Sequence, residues 1–506
     1  MGALEPQTAS GSTRTLAATL RVQLAATGLA IALAGAAVTA RADTLEWALA
    51  TAYQTNPQLN SQRAITRAID ENVPQALSGY RPSVSATVTA GRQYQRTETE
   101  VAGSTVASAI AGSRATGATG GAASSARTIG GLRSITQGTF DPHSVGITGT
   151  QTLFNGFQTG NRVRQAEHQV SAARETLRLI EQNVLLNAAT AYMNLLRDTA
   201  ILELQRSNVA VLVEQLRQTR DRFSVGEVTR TDVAQAESRL AAGRSQLATA
   251  EANFTNSRAV YRQVIGVEPG KLAAASPVDR LSPSVLPAAV AAGRAANPNV
   301  TAAMFGIDVQ ALQIKINEGA LYPVLTVSAN AQQNWDVSTV VKQQTSASLI
   351  GQLTVPIYRG GLFYSAVRQS KETLTQRRFD LETARDQVQA SVIQAWGNLD
   401  AAKAQIAATQ AQVSAAEIAL NGVREEARVG QRTTLDVLNA QQELVKARVA
   451  LVTAQRDRVV ASYGLLSSVG RLSPIVLGLP ISVYEPMVHY QQVRDVWAGV
   501  RTPDGK

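Results

Sequence analysis

The sequence predicts a mainly α-helical, internally duplicated protein that also carries four strands suited to a membrane β-barrel. Three observations predict it. Residues 161–225 run for 65 positions without a Gly or a Pro. The second half of the chain repeats the first at fixed offsets. Between the helical stretches lie two pairs of short segments whose apolar residues recur every second position, the period of a strand.

The long stretch sets the frame. Val163, Val170, Leu177 and Val184 form one apolar row, and Ala166, Ala173 and Ile180 the next. Near Asn187 the beat slips by four residues, then resumes as Ala188, Leu195, Leu202, Val209, Leu216 and Phe223. Such a 3-4 alternation gives a helix one narrow seam for neighbouring helices. At 1.5 Å per residue the rod would be roughly 100 Å long, several times the depth of a bilayer's hydrocarbon.

Around it, residues 44–77 read as a leading helix that Pro57 interrupts and Pro82 stops. After Pro82, Val84, Ala86 and Val88 oppose Ser85, Thr87 and Thr89; Val145 and Ile147 oppose Ser144 and Thr148. Arg96–Asp141, rich in Gly, Ser, Ala and Thr, reads as a long loop between these two strands. A break at Gly226 separates the long helix from a return helix over 231–265.

Then the chain repeats. Asn56-Pro57 returns as Asn297-Pro298 and Pro82 as Pro323, both 241 residues on. From Gly156, matched by Gly360, the offset is 204 and holds without a gap: Tyr192 to Trp396, Val225-Gly226 to Val429-Gly430, Asp232 to Asp436, Gly266 to Gly470. Each half is helix, strand, strand, long helix, return helix. The half-length helices would stack end to end to match one long one.

Strands with one apolar and one small-polar face suit lipid on one side and a wet lumen on the other. Four cannot close a barrel, because an open edge in lipid leaves backbone groups unpaired at several kcal/mol each. Several chains must therefore share one barrel; the competing reading is a coiled-coil surface or structural protein whose rod is a spacer.

Composition narrows the function. The 506 residues are 44% apolar but only 5% aromatic, which favours long close-packed helices over one large core. There is no Cys, so there is no disulfide, thiolate nucleophile or Cys-ligated metal. No P-loop, catalytic constellation or cofactor motif is present, and the excess of ten positive charges is interspersed, which argues against nucleic acid. Arg14 and Arg21, the apolar run Leu24–Val38 and Ala40-Arg41-Ala42 read as a signal peptide cleaved after Ala42.

Taken together, the opening Thr44-Leu45-Glu46-Trp47-Ala48-Leu49, Asn56-Pro57, Thr152-Leu153-Phe154-Asn155-Gly156-Phe157 and the half repeats in step resemble the TolC family of outer-membrane efflux and secretion ducts. The resemblance implies a homotrimer whose twelve strands form a barrel in the outer membrane of a Gram-negative bacterium. A helical α-barrel tunnel would cross the periplasm, where a periplasmic adaptor (membrane fusion) protein would join it to an inner-membrane ABC or proton-driven pump. Cargo would be small toxic molecules, proteins by type I secretion, or both.

The expected organisation is a signal peptide at 1–42, leading helix 43–81, strand pair with extracellular loop 82–158, helix hairpin 159–266 and connector 267–286. The second half follows as 287–322, 323–360 and 361–470, with an equatorial tail at 471–506 that joins the connector in a belt.

Function should concentrate at the hairpin tips. Thr231 and Asp232, like Thr434 and Asp436, suit helix caps. In the TolC-like reading the tips close the periplasmic entrance. Arg432 would then bond Thr231 and Asp232, and Asp436 from three chains would form a carboxylate ring that favours cations. Asn439 stands where a second acidic residue is expected, and Ala427 where the latch has an aromatic. Val225-Gly226 and Val429-Gly430 would receive the adaptor's hairpins.

Overall fold

The computed structural model describes residues 43–101, 132–338, 341–503 and 505. The expected signal peptide and the centre of the long loop lie outside them. In order, the described elements are α1 (Leu45–Thr55), α2 (Pro57–Asp70), α3 (Asn72–Leu77), β1 (Ser83–Ala90), β2 (Gln93–Val101), β3 (Leu132–Phe140), β4 (His143–Asn155), α4 (Gln158–Ser224) and α5 (Arg230–Ile265). The second half supplies α6 (Leu286–Ala296), α7 (Pro298–Gly319), β5 (Val324–Trp335), β6 (Gln343–Thr354), α8 (Leu362–Arg428), α9 (Thr434–Ser468) and α10 (Pro486–Val493). The two long helices, α4 and α8, have 67 residues each. Among the described residues no helix is long and apolar enough to cross a membrane.

The chain falls into two compact units. The first holds residues up to Ala68, Ser171–Met304 and Phe379–Val488. Its main core gathers Leu49, Tyr53 and Leu59 from the leading helices, Leu177–Leu195 of α4, Tyr261 and Ile265 of α5, Tyr463 and Leu466 of α9, and Leu472 and Leu479 beyond it. Connector residues Leu272, Val278 and Leu281 pack on the same cluster. Where the heptad slips near Asn187, Val184, Leu185, Ala188, Ala189, Ala191, Tyr192 and Met193 are all buried. One seam has widened there to most of the helix surface, and the slip is what rotates a new row of side chains inward.

The repeated Asn-Pro and Gly have a shared structural task. Buried Asn56 donates from Nδ2 to Val264 O near the end of α5, while its Oδ1 accepts from Gln58 N and Leu59 N at the start of α2. Asn297 does the same for Ser468 O of α9 and Asn299 N of α7. The side chain caps one helix and ties off another, so each return helix stops where a leading helix restarts. Gly470, at φ 82°, lies so close to this junction that a Cβ would fall 2.7 Å from Asn297 Cα.

The second unit holds Ile69–Val170, Phe305–Arg378 and His489–Lys506. Its sheet is antiparallel in the order β1-β4-β5-β6. Register aligns the alternation into two faces: Val84, Gly149, Ala329 and Leu349 share one row, and Ala86, Ile147, Ala331 and Ala347 the next. Opposite them run Ser85, Thr148, Asn330 and Ser348, then Thr87, Gly146, Gln332 and Ser346. A slip by one residue would put each set on the other face. Thr148 Oγ1 donates to Asn330 Oδ1 across the polar side at 3.0 Å.

The long loop requires a correction. Its flanks are not irregular: β2 pairs with β3 from Gln93↔Phe140 to Val101↔Leu132, as a separate two-stranded ribbon. Gln93, Gln95 and Thr97 alternate with Tyr94, Arg96 and Glu98, so both faces are largely polar and the apolar-polar signal of a half-buried strand is missing.

Candidate functional site: the paired helix-hairpin tips

The two tips are built alike. At the end of α4, Gly226 N donates to Phe223 O and Glu227 N to Arg222 O; at the end of α8, Gly430 N donates to Ala427 O and Gln431 N to Glu426 O. Both turns need a left-handed residue, and Gly226 and Gly430 supply it at φ 80° and 78°. The following helices start on matching capping boxes. Thr229 Oγ1 accepts from Asp232 N, while Thr229 N and Oγ1 donate to Asp232 Oδ2 at 2.8 and 2.7 Å. Thr433 and Asp436 repeat this at 3.0 and 2.8 Å. The caps are therefore Thr229 and Thr433, two residues and one residue earlier than Thr231 and Thr434; the aspartates are the third residues of their helices.

These bonds set the charges. The Thr229 hydroxyl and amide hold the Asp232 carboxyl below the usual aspartate range, and the Thr433 amide and hydroxyl do the same for Asp436. Arg222 lowers Glu227 through a 2.6 Å contact. Arg432 is exposed, and its Nε donates to Glu426 Oε2 at 2.8 Å, which raises the guanidinium pKa. Within one chain, then, Arg432 is paired with Glu426 and Asp232 with Thr229, and the two are not brought together. Thr231 is exposed in the first turn of α5. Val225 and Val429 are 76% and 71% exposed at the apices.

Behind each tip, one brace crosses its hairpin at the same place. Arg220 Nη2 reaches Glu237 Oε1 at 2.6 Å, and its counterpart Arg424 reaches Gln441 Oε1 at 3.0 Å. The 204-residue offset relates both pairs in the sequence, Arg220 to Arg424 and Glu237 to Gln441. A further link joins the two hairpins: Arg239 of α5 donates from Nη2 to Asn439 Oδ1 of α9 at 2.7 Å, and from Nη1 to Gln442 Oε1. Leu212, Leu216, Ala236, Leu240 and Leu438 pack as a small apolar cluster in the same hairpin ends. Arg239 carries no sequence signal, because its partners are neutral amides about 200 residues away.

Comparison with known proteins bears on this architecture. The family model described as "Outer membrane efflux protein" matches residues 48–267 and 291–471, both halves of the duplication. The chain belongs to that family. It is 40% identical over 483 residues to the outer membrane efflux protein BepC of Brucella suis biovar 1 (strain 1330), covering 94% of this chain and 97% of the relative. With the outer membrane protein TolC of Vibrio cholerae serotype O1 (strain ATCC 39315 / El Tor Inaba N16961) it shares 29% identity, over 65% of this chain and 77% of that one. The crystal structure of the Campylobacter jejuni CmeC outer membrane channel superimposes with a TM-score of 0.69 at 14% identity, covering 89% of each chain. The TolC-like fold, the outer-membrane location and a role as an efflux channel rather than an enzyme are those of the family. Membership removes the reading of a spacer without channel activity.

Proposed function

We propose that this protein is the outer-membrane exit duct of a tripartite exporter, working as a homotrimer docked to a periplasmic adaptor (membrane fusion) protein and an inner-membrane pump of the ABC or proton-driven class. Its cargo would be small toxic molecules, exported proteins, or both. The observation that carries this reading is the matched pair of hairpin ends. Two long helix hairpins finish in the same turn, the same capping box and the same bare Val-Gly apex. Val225-Gly226 and Val429-Gly430 put small and apolar surface where another helix hairpin can approach closely.

In this reading the entrance closes on contacts that a partner can exchange. Arg432 would leave Glu426 for Thr231 and Asp232, and Asp232 would share its carboxylate between that arginine and its cap. Exposed ion pairs are each worth only ~0–1 kcal/mol, so trading one for another costs little. Asp436 of three protomers would place three carboxylates around the narrowest point, one turn from Asn439, with a cation preference following from their field.

Planar-bilayer recording tests the entrance. Purified protein should show a small, cation-preferring conductance that rises when Arg432→Ala and Asp232→Ala are combined. A conductance that the double substitution leaves unchanged would remove these two residues from the gate. Deleting the gene and scoring drug sensitivity beside secreted protein separates the two kinds of cargo.

A further inference from the structure

Far in sequence from the tips, the segment that follows α10 ends at the base of the sheet. α10 is seated first. His489 Nδ1 lies 3.0 Å from Asp70 Oδ2, Tyr490 packs against Val73, Ala166 and Val170, and Val493 is buried. The chain then runs to Arg81, two residues before β1 begins. Arg81 Nη1 donates to Val496 O at 2.9 Å, and its guanidinium lies over the Trp497 ring, 4.5 Å from the centroid. Trp497 is thus held in place, yet it is 72% exposed, and Val500 is wholly so. In the single chain the pinned tryptophan, with exposed Val496 and Val500 beside it in sequence, forms a short apolar ridge.

Its surroundings say what it faces. Each strand of the four-stranded sheet has an exposed aromatic just beyond its helix-side end: Tyr80 before β1, Phe157 after β4, Tyr322 before β5 and Tyr358 after β6. In a protein of the outer membrane whose strands carry lipid-facing rows such as Val84, Ala86 and Val88, a level of aromatics at the strand ends marks the membrane–water boundary. Trp497, clamped to Arg81 beside Tyr80, lies at that level. Arg81 touches the ridge, and Arg494 and Arg501 flank it in sequence with Asp495 as the described carboxylate between them. Tryptophan and arginine together suit the headgroup zone, where the ring takes the acyl boundary and the guanidinium the phosphate.

We propose that Val496, Trp497 and Val500 insert into the periplasmic headgroup region of the outer membrane, making this segment a peripheral anchor outside the barrel whose occupant is phospholipid.

Trp497 is one of four tryptophans, so the test is a difference measurement on the full-length protein. The native chain and Trp497→Phe are each reconstituted in phosphatidylethanolamine–phosphatidylglycerol vesicles, with or without phospholipids brominated near the headgroup or deep in the acyl chain. The native protein should lose more emission to the shallow bromines than Trp497→Phe does, and the subtracted Trp497 spectrum should be blue-shifted from that of tryptophan in water. Equal shallow quenching of the two proteins overturns the proposal. So does a blue-shifted Trp497 that bromines do not quench, which would place the ring against protein. Because Phe keeps an aromatic at the position and the barrel retains its own girdle, both proteins should fold and insert; equal trimer yield checks this.

Discussion

Arg239 joins two hairpins through neutral acceptors, Asn439 Oδ1 and Gln442 Oε1, and this choice has consequences. A charged donor on a neutral amide does not lose its partner when carboxylates protonate, and salt screens it less than an ion pair. Arg239 is half-buried, so its loss should cost about 1 kcal/mol, below the usual range for bonds to charged groups. Arg239→Ala should therefore raise the open probability in planar bilayers roughly fivefold, with faster hydrogen exchange in the first turns of α5 and α9. Unchanged gating together with unchanged exchange would show that the link carries no load. The aspartate caps behave in the opposite way. Asp232 and Asp436 have carboxyl pKa values depressed below that of an unfolded chain. The stability they lend is present above the ordinary aspartate value of about 3.9 and is lost as pH falls through their lower folded values. Hydrogen-exchange protection factors at Thr229–Asp232 and Thr433–Asp436, corrected for the intrinsic pH dependence of amide exchange, should hold from pH 7 down to about 4 and fall only below it, while the α5–α9 link persists.

At the scale of elements, the two halves use one glycine differently. Gly156, between β4 and α4, has φ 65°, and a Cβ there would sit 2.1 Å from Gly319 O and 2.8 Å from Tyr322 Cβ. Its repeat, Gly360, has φ 60° but open space around it. Gly360→Ala should cost only the left-handed backbone, about 1 kcal/mol, whereas Gly156→Ala must also displace backbone and should cost several times more. Thermal melting of the two purified variants ranks them; equal melting points would mean the β4–α4 junction relaxes freely. Both glycines are plain in the sequence, and only packing distinguishes them. The same holds for the caps. Thr-x-x-Asp stands in the sequence at Thr229 and Thr433, but Thr231 and Thr434 are neighbouring threonines, and composition alone does not say which hydroxyl faces the free amides. The helices and the four sheet strands were legible because each has a periodic apolar face. The β2–β3 ribbon was not, because pairing through backbone bonds with polar side chains on both faces leaves no such period.

For the whole molecule, the informative feature is what the sheet leaves open. β1 and β6 are its edge strands, and every residue of both is exposed in a single chain. In lipid, the unpaired N–H and C=O groups of such edges cost several kcal/mol each, so the sheet must close through other copies. Duplication explains how one chain prepares for this: each half contributes a strand at one edge, and antiparallel order makes β6 of one protomer the natural neighbour of β1 of the next. The sequence carries this requirement in its alternation and repeat, but the number of copies depends on barrel curvature, which no residue encodes by itself. Twelve strands from three chains is the expected closure, with about eight as the lower bound for a membrane barrel. The absence of cysteine allows a direct measurement. Single cysteines walked along β1 and β6 in combination should form disulfides only between protomers, in a register shifting by one residue on each strand. The oxidised ladder on a denaturing gel should stop at three chains. A ladder that ends at two or continues past three would change the stoichiometry, and bridges formed within one chain would mean the four-stranded sheet curls on itself rather than sharing its edges.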